Sequence, residues 1–159
     1  HFVTSWHNTY GLPYLITSSS NNYGTGQHEE KLIPKVIINS LDDRITYMHD
    51  GGEQIRDWIH VDDHCSAIWT LDHQKVLNDK FNIGGACEMQ NIQVTKKILD
   101  ILKKPYNLIG VSNDRPGVDK RYGTDFSKLT DRTGWIPQIN FDVGLERTVM
   151  FYKNKYIRK

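Results

Sequence analysis

The residues in this chain best suited to shared chemistry are three cations in separate, stiffened loops. Arg56 follows the turn Asp50-Gly51-Gly52, Arg115 sits in Asp114-Arg115-Pro116-Gly117, and Lys31 lies in Glu29-Glu30-Lys31-Leu32-Ile33-Pro34. Guanidinium forks match pairs of phosphate oxygens, so convergence of these groups would hold an anionic ligand such as a diphosphate. Each arginine also stands beside an aspartate, Asp57 or Asp114, and a structural ion pair is the alternative for each. Asn21 and Asn22 follow the β-prone run Tyr14-Leu15-Ile16-Thr17 and the serines 18–20. At the carboxyl end of a parallel strand, where open α/β sheets bind ligands, two carboxamides can hydrogen-bond a diphosphate oxygen and a cofactor amide without adding charge. An asparagine-rich turn closed by Gly24 is the plainer alternative.

Other constellations lead away from chemistry. His60 and His64 are four apart, but Ile59-His60-Val61 reads as strand and Asp62 as a helix cap, so the rings would diverge and no metal is expected. Glu29-Glu30 could form a carboxylate pair, but adjacent residues diverge on a helix, so helix-start acid is the better reading for at least one of them. No Ser-His-Asp spacing, P-loop or GxGxxG is present, so nothing in the chain activates a nucleophile or cradles a cofactor pyrophosphate. Cys65 and Cys87 make neither a disulfide framework nor a CxxC, and suit reduced thiols in a cytoplasmic protein. A net charge of +1 gives no reason to bind nucleic acid or an anionic membrane, and no apolar run approaches a membrane span.

These residues need elements to hold them. Short apolar runs alternate with segments of 3.6-residue period, which is the pattern of an α/β protein. Strands are expected at Tyr14–Thr17, Ile45–Met48, Gln54–Ile59, Lys80–Ile83 and Leu108–Val111. Helices are expected with inward stripes at Ile33, Val36, Ile37, Ser40 and Leu41, at Cys65, Ile68, Trp69 and Leu71, at Val94, Ile98, Ile101 and Leu102, and at Leu145, Val149, Tyr152 and Tyr156. Asp62, Asp125 and Asp142 read as caps, and Trp58, Trp69 and Trp135 as core. Phe2, Trp6 and Tyr10, spaced by four with no initiator Met, suggest that the chain opens inside a helix.

Six motifs in order then carry a resemblance: Ser20-Asn21-Asn22-Tyr23-Gly24, Glu30-Lys31-Leu32-Ile33-Pro34, Ile55-Arg56-Asp57-Trp58, Val61-Asp62-Asp63-His64-Cys65, Phe81-Asn82-Ile83-Gly84-Gly85 and Asp114-Arg115-Pro116-Gly117, with Arg121-Tyr122 and Gly134-Trp135 following. The chain resembles the second half of the dTDP-glucose 4,6-dehydratases, which are extended short-chain dehydrogenases/reductases. The resemblance implies the C-terminal part of an extended Rossmann-type doubly wound sheet plus the smaller sugar-nucleotide-binding domain over residues 1–159, tightly held NAD, and a homodimer in the full-length enzyme. It implies substrate contacts from Asn21, Glu30, Lys31, Leu32, His49, Arg56, Asn91, Arg115 and Tyr122, and places Ser19 and Asn22 near the nicotinamide. Enzymes of this family oxidise the sugar C4 hydroxyl, eliminate water across C5 and C6 and return the hydride to C6, using a Tyr-Lys pair and an Asp-Glu pair. Those groups and the glycine-rich dinucleotide loop are expected upstream of His1, so the chain alone is expected to be inactive, and a lone half to fold marginally or to associate. Ser19, Thr25-Gly26, His49 and Val118 depart from the family pattern of Cys, Pro-Tyr, Tyr and His. The base is therefore open between a dTDP-sugar and a UDP-sugar, and epimerase or decarboxylase chemistry and an inactive binding or dimerising fragment stay open beside dehydration.

Overall fold

A computed structural model describes residues 1–113 and 117–157. Its centre is one strand, β4 (Ile55–His60), which takes partners on both edges. β2 (Asn21–Tyr23) runs parallel to its second half, with Asn21 opposite Trp58. β8 (Arg121–Tyr122) runs parallel to its first half, with Tyr122 opposite Arg56, and β6 (Glu88–Gln90) pairs antiparallel with Met89 opposite Arg56. Since β6 and β8 both bond Ile55 and Arg56, they occupy opposite edges, and β8 and β2 follow one another along the same edge. Two parallel pairs complete the strands: β1 (Leu15–Ser19) with β5 (Asp79–Ile83), and β3 (Thr46–His49) with β7 (Ile109–Ser112). Predominantly parallel pairing with helical crossovers matches the expected α/β class.

The alternation of side chains along a strand makes β4 a divider. Trp58 enters a core formed by α2 (Leu32–Leu41), α4 (Asn91–Leu102) and α6 (Phe141–Ile157), around Val36, Ile37, Ile98 and Leu145. Ile59 enters a second core under α3 (Val61–His73) and α5 (Ser127–Thr133), with Leu71, Phe81, Ile83 and Trp135. Truncating either to Ala would cost about 2–5 kcal/mol. Gly85 is required beside this strand, because a Cβ there would overlap the backbone of Trp58.

The stripes read for α2, α4 and α6 face inward as expected: Val36, Ile37, Val94, Ile98, Leu145, Val149 and Tyr152 are all buried. That of α3 does not. Asp63 is buried because its carboxylate accepts the N–H groups of Gln138 (3.1 Å) and Ile139 (2.9 Å). This fixes Asp63, Ala67 and Leu71, at i, i+4 and i+8, as the inner face and turns Cys65, Ile68 and Trp69 outward. Trp69 is 69% exposed and stacked on His73, so it is not core. Two caps are also displaced by neighbours. His60 Nδ1, not Asp62, accepts the first-turn N–H of α3, and Asn140 Oδ1, not Asp142, accepts from the start of α6. At α5 the N-cap position is Phe126, which makes no side-chain cap bond, and Asp125, one residue earlier, accepts from Ser127 N–H at 2.9 Å.

The first helix, α1 (Phe2–Tyr10), buries none of its residues, and β1 pairs only with β5 among the described residues. No described helix is long and apolar enough to cross a membrane.

Candidate functional site

Arg56 and Asp57 are neighbours on β4 and therefore point to opposite faces. Their separation removes the ion-pair alternative. The Asp57 carboxylate is consumed by the turn after β5, accepting from Gly85 N–H at 3.0 Å and Cys87 N–H at 2.9 Å. Arg56, 8% exposed, donates to the carbonyls of Ile55 (2.7 Å) and Asp119 (3.0 Å), and its guanidinium lies 4.5 Å from the centre of the Tyr122 ring. The β8–β4 register places that ring, and the Tyr122 hydroxyl is tied to the Asp119 carboxylate, which pushes its pKa up. No carboxylate among the described residues forms a salt bridge with Arg56. A nearly buried cation whose partners among the described residues are carbonyls and a ring retains its attraction for an anion.

The stacked pair contributes to two cavities, Arg56 to one and Tyr122 to the other. The first, about 250 Å³, is lined by Arg56 together with Glu30, Leu32, His49 and Asn91. The second, about 320 Å³, is lined by Tyr122 together with Ser19, Ser20, Asn21 and Asp57. In the first, His49 Nδ1 is 3.2 Å from the Asn113 carbonyl and 3.0 Å from Ser112 Oγ. A carbonyl only accepts, so Nδ1 is the donor in the bond to Asn113. Asn91 begins α4 and is held to Gln54 through both its backbone N–H (3.1 Å) and its side chain (3.5 Å).

A family model described as GDP-mannose 4,6 dehydratase matches residues 1–148. The chain belongs to that dehydratase family. It is 44% identical to the dTDP-glucose 4,6-dehydratase of Haemophilus influenzae over 96% of this chain and 48% of the relative. The solved dTDP-glucose 4,6-dehydratase of Streptomyces venezuelae, with NAD and dTDP bound, superposes with a TM-score of 0.91 at 38% identity, covering 95% of this chain and 47% of that one. That of Bacillus anthracis, in complex with NAD, gives 0.91 at 35% identity over 98% and 49%. The chain spans about half the length of the curated relatives it matches.

Within this dehydratase-family chain, eight of the residues singled out from sequence line one cavity or the other: Glu30, Leu32, His49, Arg56 and Asn91 the first, Ser19, Asn21 and Tyr122 the second. Lys31 does not join them. It is the exposed N-terminal flank of α2, and Lys35, one turn on, lines the first cavity instead. Asn22 is folded under the second, donating to Ser19 Oγ (3.0 Å) and the Ser20 carbonyl (3.2 Å), with Oδ1 buried and unpartnered. Arg115 lies outside the described residues. Sequence reading missed Gln54, whose buried side chain donates to the His49 carbonyl at 3.2 Å and receives Asn91. The strand period of two puts Gln54 on the same face as Arg56, which was the available signal.

Proposed function

We propose that this chain binds the nucleotide-sugar of a 4,6-dehydratase that converts dTDP-glucose to its 4-keto-6-deoxy product. The observation that carries the reading is the Arg56–Tyr122 pair, a nearly buried cation without a carboxylate partner among the described residues, with Arg56 lining one cavity and Tyr122 the other. The diphosphate lies at Arg56, and Arg115 supplies a second guanidinium. The sugar must meet the cofactor, and cofactors of open α/β sheets sit beyond the carboxyl ends of parallel strands. Ser19 and Asn21, at the end of β1 and the start of β2, therefore mark the sugar and cofactor side, and the cavity of Leu32, His49 and Asn91 takes the nucleoside. His49 Nε2 can accept the imide N–H that thymine and uracil share, which keeps UDP-glucose as the alternative substrate.

The residues present fit NAD. Ser19 is exposed at the end of β1, and the buried Oδ1 of Asn22 has no partner, an uncharged set of the kind a carboxamide-bearing ring needs. Bound NAD would supply a hydride acceptor that later returns the hydride to the same sugar. Ser19 and Asn22 orient the ring, Asn21 faces the sugar, and Arg56 holds the diphosphate so that the hexose cannot drift. The strands β1 and β5 are the last of the dinucleotide-binding sheet, the remainder is the sugar-nucleotide domain, and the full-length enzyme is a homodimer. The sequence holds no Tyr-x-x-x-Lys, so we place proton abstraction on residues it does not contain.

The test is calorimetric titration of the chain with dTDP beside an assay for 4-keto sugar. Binding in the micromolar range, weakened roughly 10- to 100-fold in Arg56→Ala, with no turnover of dTDP-glucose, is the expected result. Unaided turnover, or nucleotide binding indifferent to Arg56, would sink the reading.

A further inference from the structure

The segment 24–31 brings Glu30 and Leu32 to the first cavity, yet it belongs to no helix or strand. Gly24 (φ 148) and Gly26 (φ 79) adopt backbone that L side chains rarely take, and a Cβ on Gly24 would run into Val61, so the path of the segment depends on glycine and is not held by regular backbone pairing. Its anchors come from elsewhere. The Tyr152 hydroxyl donates to the Gln27 carbonyl across 125 residues of sequence. Lys155 Nζ pairs with Glu29 Oε1 at 3.0 Å, and the Tyr156 hydroxyl is hydrogen-bonded to the same carboxylate, which pushes its pKa up to about 12. Lys155 also lies 5.9 and 5.5 Å from the Tyr152 and Tyr156 rings, which holds the three side chains in one cluster. From the other side, Gln27 Nε2 donates to the Asn22 carbonyl at 2.7 Å.

We propose that the last two turns of α6 are a strut that sets the nucleoside side of the site, with Tyr152 and the Glu29–Lys155–Tyr156 cluster as positioning residues for Glu30 and Leu32. These helix residues lie beyond position 148, where the family match ends. Docking of α6 does not need the hydroxyl, because Phe141, Leu145 and Val149 are already buried against the same core. What the hydroxyl adds is a fixed height for the Gln27 carbonyl, and through it for the start of α2. A segment fixed before ligand arrives loses less freedom on binding, so the strut acts on affinity and not on the hydride and proton steps. The inference rests on the reading of the first cavity as a nucleoside site.

The deciding experiment compares three variants of the full chain by amide hydrogen exchange over residues 24–31 and by dTDP titration. Tyr152→Phe keeps the ring and removes one hydrogen bond, and Glu29→Gln weakens the surface cluster without touching the core. Tyr23→Phe is the matched control, since its hydroxyl makes the same kind of bond, to the Phe141 carbonyl at 3.2 Å, in the same core but not to this segment. Exchange over 24–31 should rise roughly five- to tenfold in the first two, with a dTDP Kd raised by a similar factor, while the control loses comparable thermal stability and changes neither. Unchanged exchange in Tyr152→Phe, an equal response in the control, or faster exchange with unaltered Kd would each overturn the strut. If the unaltered chain fails to bind dTDP, the nucleotide reading falls, and the exchange comparison still decides whether α6 orders the segment.

Discussion

The two cavities beside Arg56 are built by different means. The first draws on elements far apart in sequence, α2, β3, β4 and α4, and is lined by charged and ring-nitrogen groups: Glu30, Lys35, His49 and Arg56. The second is made at strand ends and an adjoining loop, from Ser19, Ser20, Asn21, Gly123 and Thr124, and its one carboxylate, Asp57, already accepts a backbone N–H on each oxygen. On the proposed reading, charge is thus concentrated on the phosphate and base side and withheld on the sugar side. A fixed charge beside the reacting carbons would bind substrate and transition state alike and gain nothing in rate.

The hardest blow to this division is Asp57→Ala. It leaves two N–H groups without an acceptor and unmoors the 85–87 turn, so the expected loss is about 3 kcal/mol, seen in calorimetry as a melting point lower by roughly 10 °C. Unchanged melting would mean that the second cavity has other support. Next comes Arg56→Ala, which removes a charge-assisted contact worth ~1.5–3 kcal/mol, so the dTDP Kd should rise roughly 10- to 100-fold. Arg56→Lys should restore only part of that affinity, because an ammonium cannot stack on Tyr122 and fork to two oxygens at once. A smaller change is expected from His49→Phe: about fivefold weaker dTDP binding, together with loss of preference for dTDP over CDP in competition titrations. Retained preference would move base reading away from His49. The least is expected from Ser19→Ala, which should leave dTDP affinity within about twofold while weakening NAD retention; a large loss of dTDP affinity there would merge the two cavities into one functional unit.

The pH response sharpens the same contrast. Tyr122 has its pKa raised, first by the hydrogen bond to Asp119, so its protonated form is favoured in the folded chain. That contribution is complete below the ordinary tyrosine pKa and is lost as pH rises through the elevated folded value. Binding of dTDP should therefore be flat from pH 7 to 9 as far as Tyr122 is concerned. Absorbance titration of the phenolate in wild type and Asp119→Asn would show whether the raised value depends on that carboxylate.

Much of the scaffold was legible because it rests on local periodicity. The inward faces of α2, α4 and α6 follow from the spacing of Val36, Ile37, Val94, Ile98, Leu145 and Val149 alone. The face of α3 was not, since a buried Asp63 bonded to Gln138 and Ile139 outweighs the apolar pattern through Cys65, Ile68 and Trp69. Caps at Asp62 and Asp142 were misplaced for a related reason: His60 and Asn140 were nearer acceptors, and histidine is an uncommon cap. In the site, residue types marked Arg56 and Asn21, and the family resemblance marked Asn91, without showing what surrounds them. The stack of Arg56 on Tyr122 depends on pairing between strands more than sixty residues apart, which no local signal carries. The tether from Tyr152 to Gln27 is longer still.

The divided character of β4 has a consequence for how such chains can diverge. Trp58 and Ile59 serve different cores and Arg56 and Asp57 different partners, so every side chain from Arg56 to Ile59 has an assigned side. Inserting or deleting one residue there would exchange all four assignments together, driving Asp57 toward the side now held by Arg56 and Trp58 into the smaller core. Descendants of this chain should therefore accumulate substitutions in β4 freely matched in size and polarity, while changes in its length should be confined to the turns at Asp50–Gly52 and beyond His73.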